Sequence, residues 1–408
     1  MDKPPPNWSW LEAKPTQRLI AALDAAGIDF RFVGGAVRDT LLGRRFVSDV
    51  DVATPAKPEI VAPALEKAGL KVIPTGLAHG TLTVVCSGRH FEVTTLRRDV
   101  VTDGRRAVVA FTDDWKEDAA RRDFTMNALY ADRARHITDF FGGVADAEAG
   151  RIRFIGDADQ RIVEDALRIL RFFRFHAHYG RGAPDKTGLA ACTRAAASLR
   201  KLSGERVRDE ILKLLGGADP APVWRIMRDS GIIQQRLPEA VDVDALASMV
   251  ALENTFALES DSLRRLAALT GPIAENLADR LKDELKLSNR QHAYLRSLEK
   301  LASRVARIEN ADFGGALYGA EPDWVRDAAL LSRVRGGQPG VAALAALLKF
   351  IGTWRQPKFP LTGSDLEALG VKPGPNFGKL LDELEAWWVA QGFTPDRAAC
   401  LAELKRRS

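Results

Sequence analysis

The sequence predicts an α+β protein in which a small β-sheet head is followed by an all-helical remainder. Short runs rich in β-branched and aromatic residues occupy the first third of the chain, and in residues 81–86 Leu82, Val84 and Cys86 alternate with their neighbours as in a half-buried strand. Beyond residue 157 long helical stretches with Gly and Pro breaks take over, and no strand is expected after about residue 155. The expected strands are 30–33, 49–53, 70–74, 81–86 and 90–96, and the first expected helices are 16–26, 57–68, 158–179, 186–201, 204–216 and 220–230.

Length and composition limit the class of protein. At 408 residues the chain is too long for one compact core, so several domains are expected. No apolar run reaches the roughly 18 residues of a membrane helix, and the start shows no secretory signal. Three widely spaced cysteines suit a reducing compartment. We therefore expect a cytoplasmic protein without a membrane partner, and no stable protein partner is evident.

Basic residues are concentrated in the first part of the helical region. Residues 151–213 contain 14 Lys and Arg against 8 Asp and Glu, a net charge of +6, whereas the whole chain carries +5. Such a distribution suits a polyanionic partner, although a solvated helical face could also carry it.

The segment 32–51 carries the most informative motif. Gly34 and Gly35 follow an apolar run, and a Gly-Gly turn can hold nucleotide phosphates against backbone N–H groups. Asp49 and Asp51 come soon after; two residues apart on a strand, they project from the same face, where they can hold Mg²⁺. Without the preceding glycines, the two acids could equally mark a surface turn.

Two further residues complete this candidate site. Arg38 could bind a triphosphate or instead cap the C-terminus of a helix. Glu92, on the strand expected at 90–96, could supply a third carboxylate, or could be an acid on a solvated strand face. His79 has no partner that would make it a metal ligand.

A second cluster lies at residues 121–128. Arg122 could pair with phosphate and Asp123 could accept hydrogen bonds from a ribose hydroxyl; the alternative is a helix cap with scattered basic residues. The preceding residues 97–118 are expected to form a mobile loop over the site.

A third cluster lies on one expected helix. Asp165, Arg168, Arg171 and Arg174 are spaced by three and form a slowly winding polar stripe on an otherwise apolar helix. The arginines need anionic partners, either a nucleotide or acids of the head.

Asp165 and Arg168 also suit the reading of a base. A carboxylate accepts from an exocyclic amine while a guanidinium donates to ring acceptors, so the pair can bond to cytosine or adenine. Uracil and guanine present a carbonyl and a ring N–H where the pair needs an amine and a ring acceptor. Leaving these buried polar groups without hydrogen bonds costs free energy of binding.

Taken in order, these clusters resemble the class II tRNA nucleotidyltransferases, a family that includes bacterial poly(A) polymerases. The Gly-Gly-x-x-Arg-Asp segment at 34–39 and the pair Asp49 and Asp51 match the family's palm site. Residues 121–123 match its Arg-Arg-Asp motif, and residues 164–168 match its Glu-Asp-x-x-Arg helix.

The resemblance implies roles for these residues. Asp49 and Asp51 would be catalytic and would hold two Mg²⁺ ions. Glu92, from its place on the expected strand rather than from the resemblance, is the third expected catalytic acid.

It implies nucleotide contacts as well. Asp165 and Arg168 would read the base, and the remaining contacts would come from Gly34, Gly35, Arg38, Arg122, Asp123, Arg171 and Arg174.

The family also implies a domain plan. A palm-type nucleotidyltransferase head would span residues 1–145, a helical neck 146–216, and a helical body and tail 217–408. The substrates would be CTP and ATP, and the acceptor arm of tRNA would lie along the basic helical part. Similarity fades after about residue 216, so the body and tail are inferred from helical patterning.

The expected activity is template-independent addition of the 3′-terminal CCA to tRNA with release of pyrophosphate. An A-adding enzyme and a bacterial poly(A) polymerase are alternatives within the family, although the C-terminus lacks the long basic extension that the polymerase branch would suggest. A non-catalytic RNA-binding module is an alternative from another class.

Overall fold

The computed structural model describes residues 6–44, 49–103, 106–308, 313–368 and 375–407. Internal contacts group the chain into two compact units, Met1–Leu237 and Pro238–Ser408. The expected division into head, neck and body with tail at residues 145 and 216 stays a prediction.

The first unit begins with a mixed sheet. Among the described residues its strand order is β3-β4-β5-β2-β1-β8-β9, and β6 pairs with β7 in a separate hairpin. β2 and β5 run parallel, whereas the other neighbouring strands are antiparallel. The strands are β1 Arg31–Val33, β2 Val50–Thr54, β3 Lys71–Gly76, β4 Thr81–Cys86, β5 Arg89–Thr95, β6 Arg97–Asp103, β7 Arg106–Phe111, β8 Leu129–Ala131 and β9 Ile137–Asp139.

One face of the sheet is covered by helices and forms the core of the head. Val50 and Val52 of β2 and Val84 of β4 are buried in one cluster with Leu19 and Leu65 from the covering helices. Alternation along β2 therefore leaves Asp49 and Asp51 on the opposite face, away from this core. The strands expected from sequence are confirmed, and so is the α+β class.

The prediction that residues 97–118 form a loop is wrong, whereas their mobility stays a prediction. The segment contains β6 and β7, paired from Arg97 with Phe111 to Asp103 with Arg106, followed by a short helix. The Asp-Gly dipeptide at 103–104 is a hairpin signal that outweighs the charged composition on which the loop prediction rested.

Helices cover the sheet and then account for the rest of the first unit. The strands β8 and β9 were not expected, but no strand follows β9 in the described residues, as predicted. The helices of this unit are α1 Ser9–Glu12, α2 Lys14–Ala25, α3 Gly35–Leu41, α4 Pro58–Lys67, α5 Trp115–Ala120, α6 Gly143–Ala149, α7 Ala158–Glu164, α8 Leu167–Tyr179, α9 Lys186–Arg194, α10 Gly204–Leu215 and α11 Ala221–Asp229.

The second unit is helical throughout its described residues. None of the described helices of the chain is long and apolar enough to span a membrane. The helices of the second unit are α12 Val243–Thr255, α13 Ser262–Leu269, α14 Glu275–Leu285, α15 Asn289–Val305, α16 Gly314–Leu317, α17 Pro322–Val334, α18 Val341–Thr353, α19 Gly363–Ala368, α20 Pro375–Ala390 and α21 Arg397–Arg407.

Candidate active site

Three acids gather on the face of the sheet opposite the head core. Asp51 on β2 is in register with Glu92 on the parallel neighbour β5, so the two carboxylates lie side by side. Asp49 directly precedes β2 and is exposed. The neighbouring Val50 is 1% exposed, which confirms the predicted alternation of acids and core residues.

Electrostatics at Asp51 reflect this crowding. Burial, together with the negative charges of Glu92 and Asp49, raises the pKa of Asp51 to about 6, and the nearby guanidinium of Arg122 opposes the shift. A cation bound at this point would relieve the repulsion, and carboxylate oxygens are the ligands that Mg²⁺ prefers.

The donor set fits a hard divalent ion shared with a substrate. Within the described ranges, no group of three or more His, Cys, Asp or Glu side chains is arranged to hold a metal by itself. Mg²⁺ commonly takes one or two carboxylates together with substrate phosphates, so the pair Asp49 and Asp51 is sufficient on the protein side. Glu92 as a third catalytic acid stays a prediction.

The Gly-Gly turn joins β1 to α3 beside these acids. Gly34 has φ 75° and ψ −126°, a conformation that residues with a side chain rarely adopt, and its N–H donates to Leu129 O at 3.0 Å. A Cβ at Gly34 would stand 3.6 Å from Nη1 of Arg122. The turn therefore brings bare backbone next to a guanidinium, which suits an anionic ligand.

Arg38 is turned into the protein. Its side chain is 6% exposed and donates to Asp39 at 2.9 Å, to Asn127 Oδ1 at 2.5 Å and to the hydroxyl of Tyr179 at 2.5 Å. These contacts join α3 to the turn at Asn127 and to α8. A direct contact of Arg38 with the triphosphate stays a prediction. In the structure its hydrogen bonds stabilise the packing of α3 against neighbouring elements.

Arg122 is held by a residue that the sequence reasoning missed. Asp118, 1% exposed, pairs with Arg122 at 3.2 Å and with Arg121 at 2.8 Å. The hydroxyl of Tyr130 donates to Asp118 at 2.7 Å and lies 3.3 Å from Nε of Arg122. Asp118 and Arg122 are four residues apart, which is the spacing of an ion pair on a helix. This spacing could have predicted the pair from the sequence.

We predict that Asp118→Asn weakens both the fold and the site. The two arginines and Tyr130 lower the pKa of Asp118 to about 2, against 3.8 ordinarily. Since the pKa is depressed, this stabilisation is present above about pH 4 and is lost as the pH falls towards 2. Urea titrations should show a loss of about 2 kcal/mol at pH 7 that shrinks below pH 4. The exposed Asp113→Asn is the matched control, and an equal loss at pH 7 and pH 3 would contradict the assignment.

Asp123 and the arginine stripe are joined by ion pairs. Arg171 Nε donates to Asp123 at 2.7 Å, and these contacts, with that of Asn127, lower the pKa of the buried Asp123. Arg174 donates to Glu210 of α10 at 2.5 Å, and Arg171 lies 3.8 Å from the same carboxylate. The alternative of pairing with acids of the head is thus realised for Arg171, whereas Arg174 pairs with an acid of the helical region. Contact of either arginine with a nucleotide stays a prediction.

The predicted base-reading residues lie where the expected helix 158–179 is interrupted. α7 ends at Glu164, and Asp165 is extended at φ −153° and ψ 106°, its carboxylate accepting from the backbone N–H of Leu167 at 3.1 Å. Asp165 also pairs with Arg206 at 2.7 Å, whereas Arg168 pairs with Glu164 at 2.6 Å. Asp165 and Arg168 are therefore three residues apart in the sequence and are bound to different partners.

A cleft opens beside Asp165. It has a volume of about 530 Å³, and its lining combines the ion pair of Asp165 and Arg206 with apolar side chains such as Val163, which is 81% exposed. Such a mixture of apolar side chains and a few polar groups is typical of sites that bind small polar molecules.

This chain is similar to known proteins over nearly its whole length. Residues 30–153 match the family model described as the poly(A) polymerase head domain, and residues 183–243 match the model described as a probable RNA- and SrmB-binding site of polymerase A. The mitochondrial CCA tRNA nucleotidyltransferase 1 of Danio rerio is 35% identical over 93% of this chain and 87% of its own. The CCA-adding enzyme of Levilactobacillus brevis is 31% identical over 96% of both chains.

Solved structures give the same result. The crystal structure of the Bacillus stearothermophilus CCA-adding enzyme in complex with CTP is 30% identical, with a TM-score of 0.75 over 97% of this chain and 98% of the other. Since relatives that match nearly the whole chain exceed 30% identity, this chain belongs to the class II family of tRNA nucleotidyltransferases and poly(A) polymerases.

Proposed function

We propose that this protein adds the 3′-terminal CCA to tRNA from CTP and ATP and releases pyrophosphate. The observation that carries the proposal is the acid pair Asp49 and Asp51, set beside Arg122 and the Gly-Gly turn. This arrangement occurs in a chain that is 30% identical over nearly its full length to an enzyme crystallised with CTP.

The family requires a divalent metal, and we propose that two Mg²⁺ ions are used here. Asp49 and Asp51 would hold them, with Glu92 close by. When bound, such ions activate a hydroxyl nucleophile and neutralise charge on the leaving phosphates.

The chain's own groups position the reactants. The bare backbone at Gly34 and Gly35 and the guanidinium of Arg122 would bind the triphosphate, and Asp123 would accept from a ribose hydroxyl. In-line attack of the tRNA 3′-hydroxyl on the α-phosphate then forms the new phosphodiester bond and breaks the bond to pyrophosphate.

The basic helices would bind the acceptor arm of tRNA. Residues 151–213 carry a net charge of +6, and residues 183–243 match a model described as RNA-binding. We assign residues 1–145 to the catalytic head, 146–216 to the neck that reads the base, and 217–408 to further tRNA contact.

Base choice should depend on Asp165. Asp165→Ala removes the acceptor for the exocyclic amine of C or A, so incorporation of UTP and GTP relative to CTP should rise about tenfold. This relaxation of base choice should exceed the rise in KM for CTP. Single-nucleotide incorporation with each of the four triphosphates measures this ratio. Asp159→Ala on α7 is the control, because that exposed acid pairs only at the surface with Arg194 at 2.6 Å. Unchanged discrimination would remove Asp165 from base reading.

One assay tests the function. The purified protein, Mg²⁺, CTP and ATP are incubated with a tRNA transcript that lacks its CCA end, and the product 3′ ends are sequenced. A homogeneous CCA end is expected. A long A-tail, or addition only to tRNA already ending in CC, would move the protein to another branch of the family. No product would favour a non-catalytic RNA-binding module.

A further inference from the structure

Tyr179, the last residue of α8, lies between two arginines of the head. The guanidinium carbon of Arg38 is 4.0 Å from the centre of its ring, and that of Arg44 is 4.2 Å from it. The hydroxyl accepts from Arg38 at 2.5 Å and lies 3.5 Å from Asp39 Oδ2, to which it donates. Ring and hydroxyl thus both bind cationic groups of the head.

Both arginines lie on the segment that starts at the Gly-Gly turn, Arg38 within its helix and Arg44 after that helix ends. Arg38 lies on the helix that begins at Gly35, and its Nη2 is 3.6 Å from where a Cβ on Gly35 would stand. Arg44 follows the end of that helix and donates to the backbone of His178 at 2.7 Å. Arg44 is five residues before Asp49 in the sequence. Holding both arginines therefore holds the turn and the helix that follows it, as far as Arg44.

The same helix α8 carries the base-reading region at its other end. Arg168 lies in its first turn and donates to Arg121 O at 3.3 Å, and Arg171 pairs with Asp123 further along. Thirteen residues of helix span about 20 Å. A rigid element fixed to the head at both ends keeps the base-reading groups at a constant distance from the phosphate-binding turn.

We propose that Tyr179 is a positioning residue for nucleotide addition, which clasps Arg38 and Arg44 and so docks the C-terminal end of α8 on the Gly-Gly turn. The inference rests on the proposed function, since that function defines what the turn and the acid pair do. Tyr179 touches neither reactant in this assignment; it acts through the two arginines.

The test compares three variants with the wild type. Tyr179→Phe keeps the ring between the guanidiniums and removes the hydroxyl, whereas Tyr179→Leu removes both interactions. Tyr294→Phe is the matched control, because it removes one buried hydroxyl, which donates to Asp327 at 3.1 Å, from the second unit. The readouts are kcat and the KM values for CTP and for tRNA lacking CCA, the melting temperature, and hydrogen exchange in peptides covering residues 34–44.

The expected results follow from the two interactions. Tyr179→Leu should exchange about tenfold faster in residues 34–44 and lose about tenfold or more in kcat per folded molecule, with KM for tRNA nearly unchanged. Tyr179→Phe should lose about threefold in kcat, because the ring still separates the arginines. Tyr294→Phe should change the melting temperature but neither exchange in this segment nor kcat.

Exchange that is unchanged in Tyr179→Leu would overturn the clasp, and so would faster exchange with wild-type kcat. A loss of activity that only follows the loss of folded protein would likewise overturn it. Failure of the proposed function gives a different result, a wild-type protein that adds no nucleotide, and the exchange measurement still decides whether Tyr179 holds the turn.

Discussion

Asp51→Asn should abolish nucleotide addition, with a fall in kcat of about a thousandfold or more. The substitution keeps the size of the side chain but removes the charge that would hold a divalent ion against the triphosphate, and electrostatic stabilisation of this kind is commonly the largest contribution to catalysis. Asp51 lies in register with Glu92 at the point where the acids meet. Single-turnover addition of CMP to tRNA lacking its CCA end measures the effect.

The fold should survive this change. The pKa of Asp51 is raised from 3.8 to about 6 by burial and the neighbouring acids, so in the metal-free protein its ionised form destabilises the fold above about pH 6. This loss of stability is absent below about pH 4, where the carboxyl of Asp51 is protonated in both the folded and the unfolded protein. In EDTA at pH 7.5, Asp51→Asn should therefore melt no lower than the wild type, and Glu59→Gln, an exposed acid on α4, serves as the control. Activity within tenfold of the wild type would remove Asp51 from the metal site.

Local patterns explain why this part of the site could be predicted from sequence. Asp49 and Asp51 alternate with Val50 and Val52. An alternation with a period of two residues predicts both a strand and the face on which the acids lie, without knowledge of any tertiary contact. The glycine at position 34 similarly predicts a turn, because a φ of 75° favours a residue without a side chain.

The partners of the arginine stripe could not be predicted in this way. Arg174 pairs with Glu210, 36 residues away, and Arg171 pairs with Asp123, 48 residues away. Helical spacing shows that the arginines need anions, but only tertiary packing decides which anions they meet. The break at Asp165 had a local signal, since a carboxylate that accepts from the backbone two residues on competes with the helix.

The second large effect is expected on stability, at a buried charge cluster in the second unit. Glu253 of α12 is 1% exposed and lies between Arg264 and Arg265 of α13, with N–O distances of 2.7 and 2.6 Å. Arg264 also donates to Asp327 of α17 at 2.8 Å. Three helices are thus joined by two buried cations and two buried anions.

Glu253→Gln should destabilise the second unit by about 3–5 kcal/mol. The amide keeps the shape of the side chain but removes the negative charge that lies between two buried guanidiniums. An unmatched buried charge costs far more than a lost surface pair. Asp279→Asn is the matched control in the same unit, because that acid is 56% exposed and its pair with His292 is worth about 1 kcal/mol or less.

The effect of Glu253→Gln is measured by urea unfolding and, separately, by hydrogen exchange in α12 and α13. Loss of protection in these helices with normal protection in the head strands would place the damage in the second unit. A free energy of unfolding within about 1 kcal/mol of the wild type would mean that water or a shifted side chain compensates the charge. Asp51→Asn is expected to remove nucleotide addition without lowering stability, whereas Glu253→Gln is expected to lower stability without changing the acids of the head. The two variants therefore distinguish a catalytic cluster of carboxylates from a structural one.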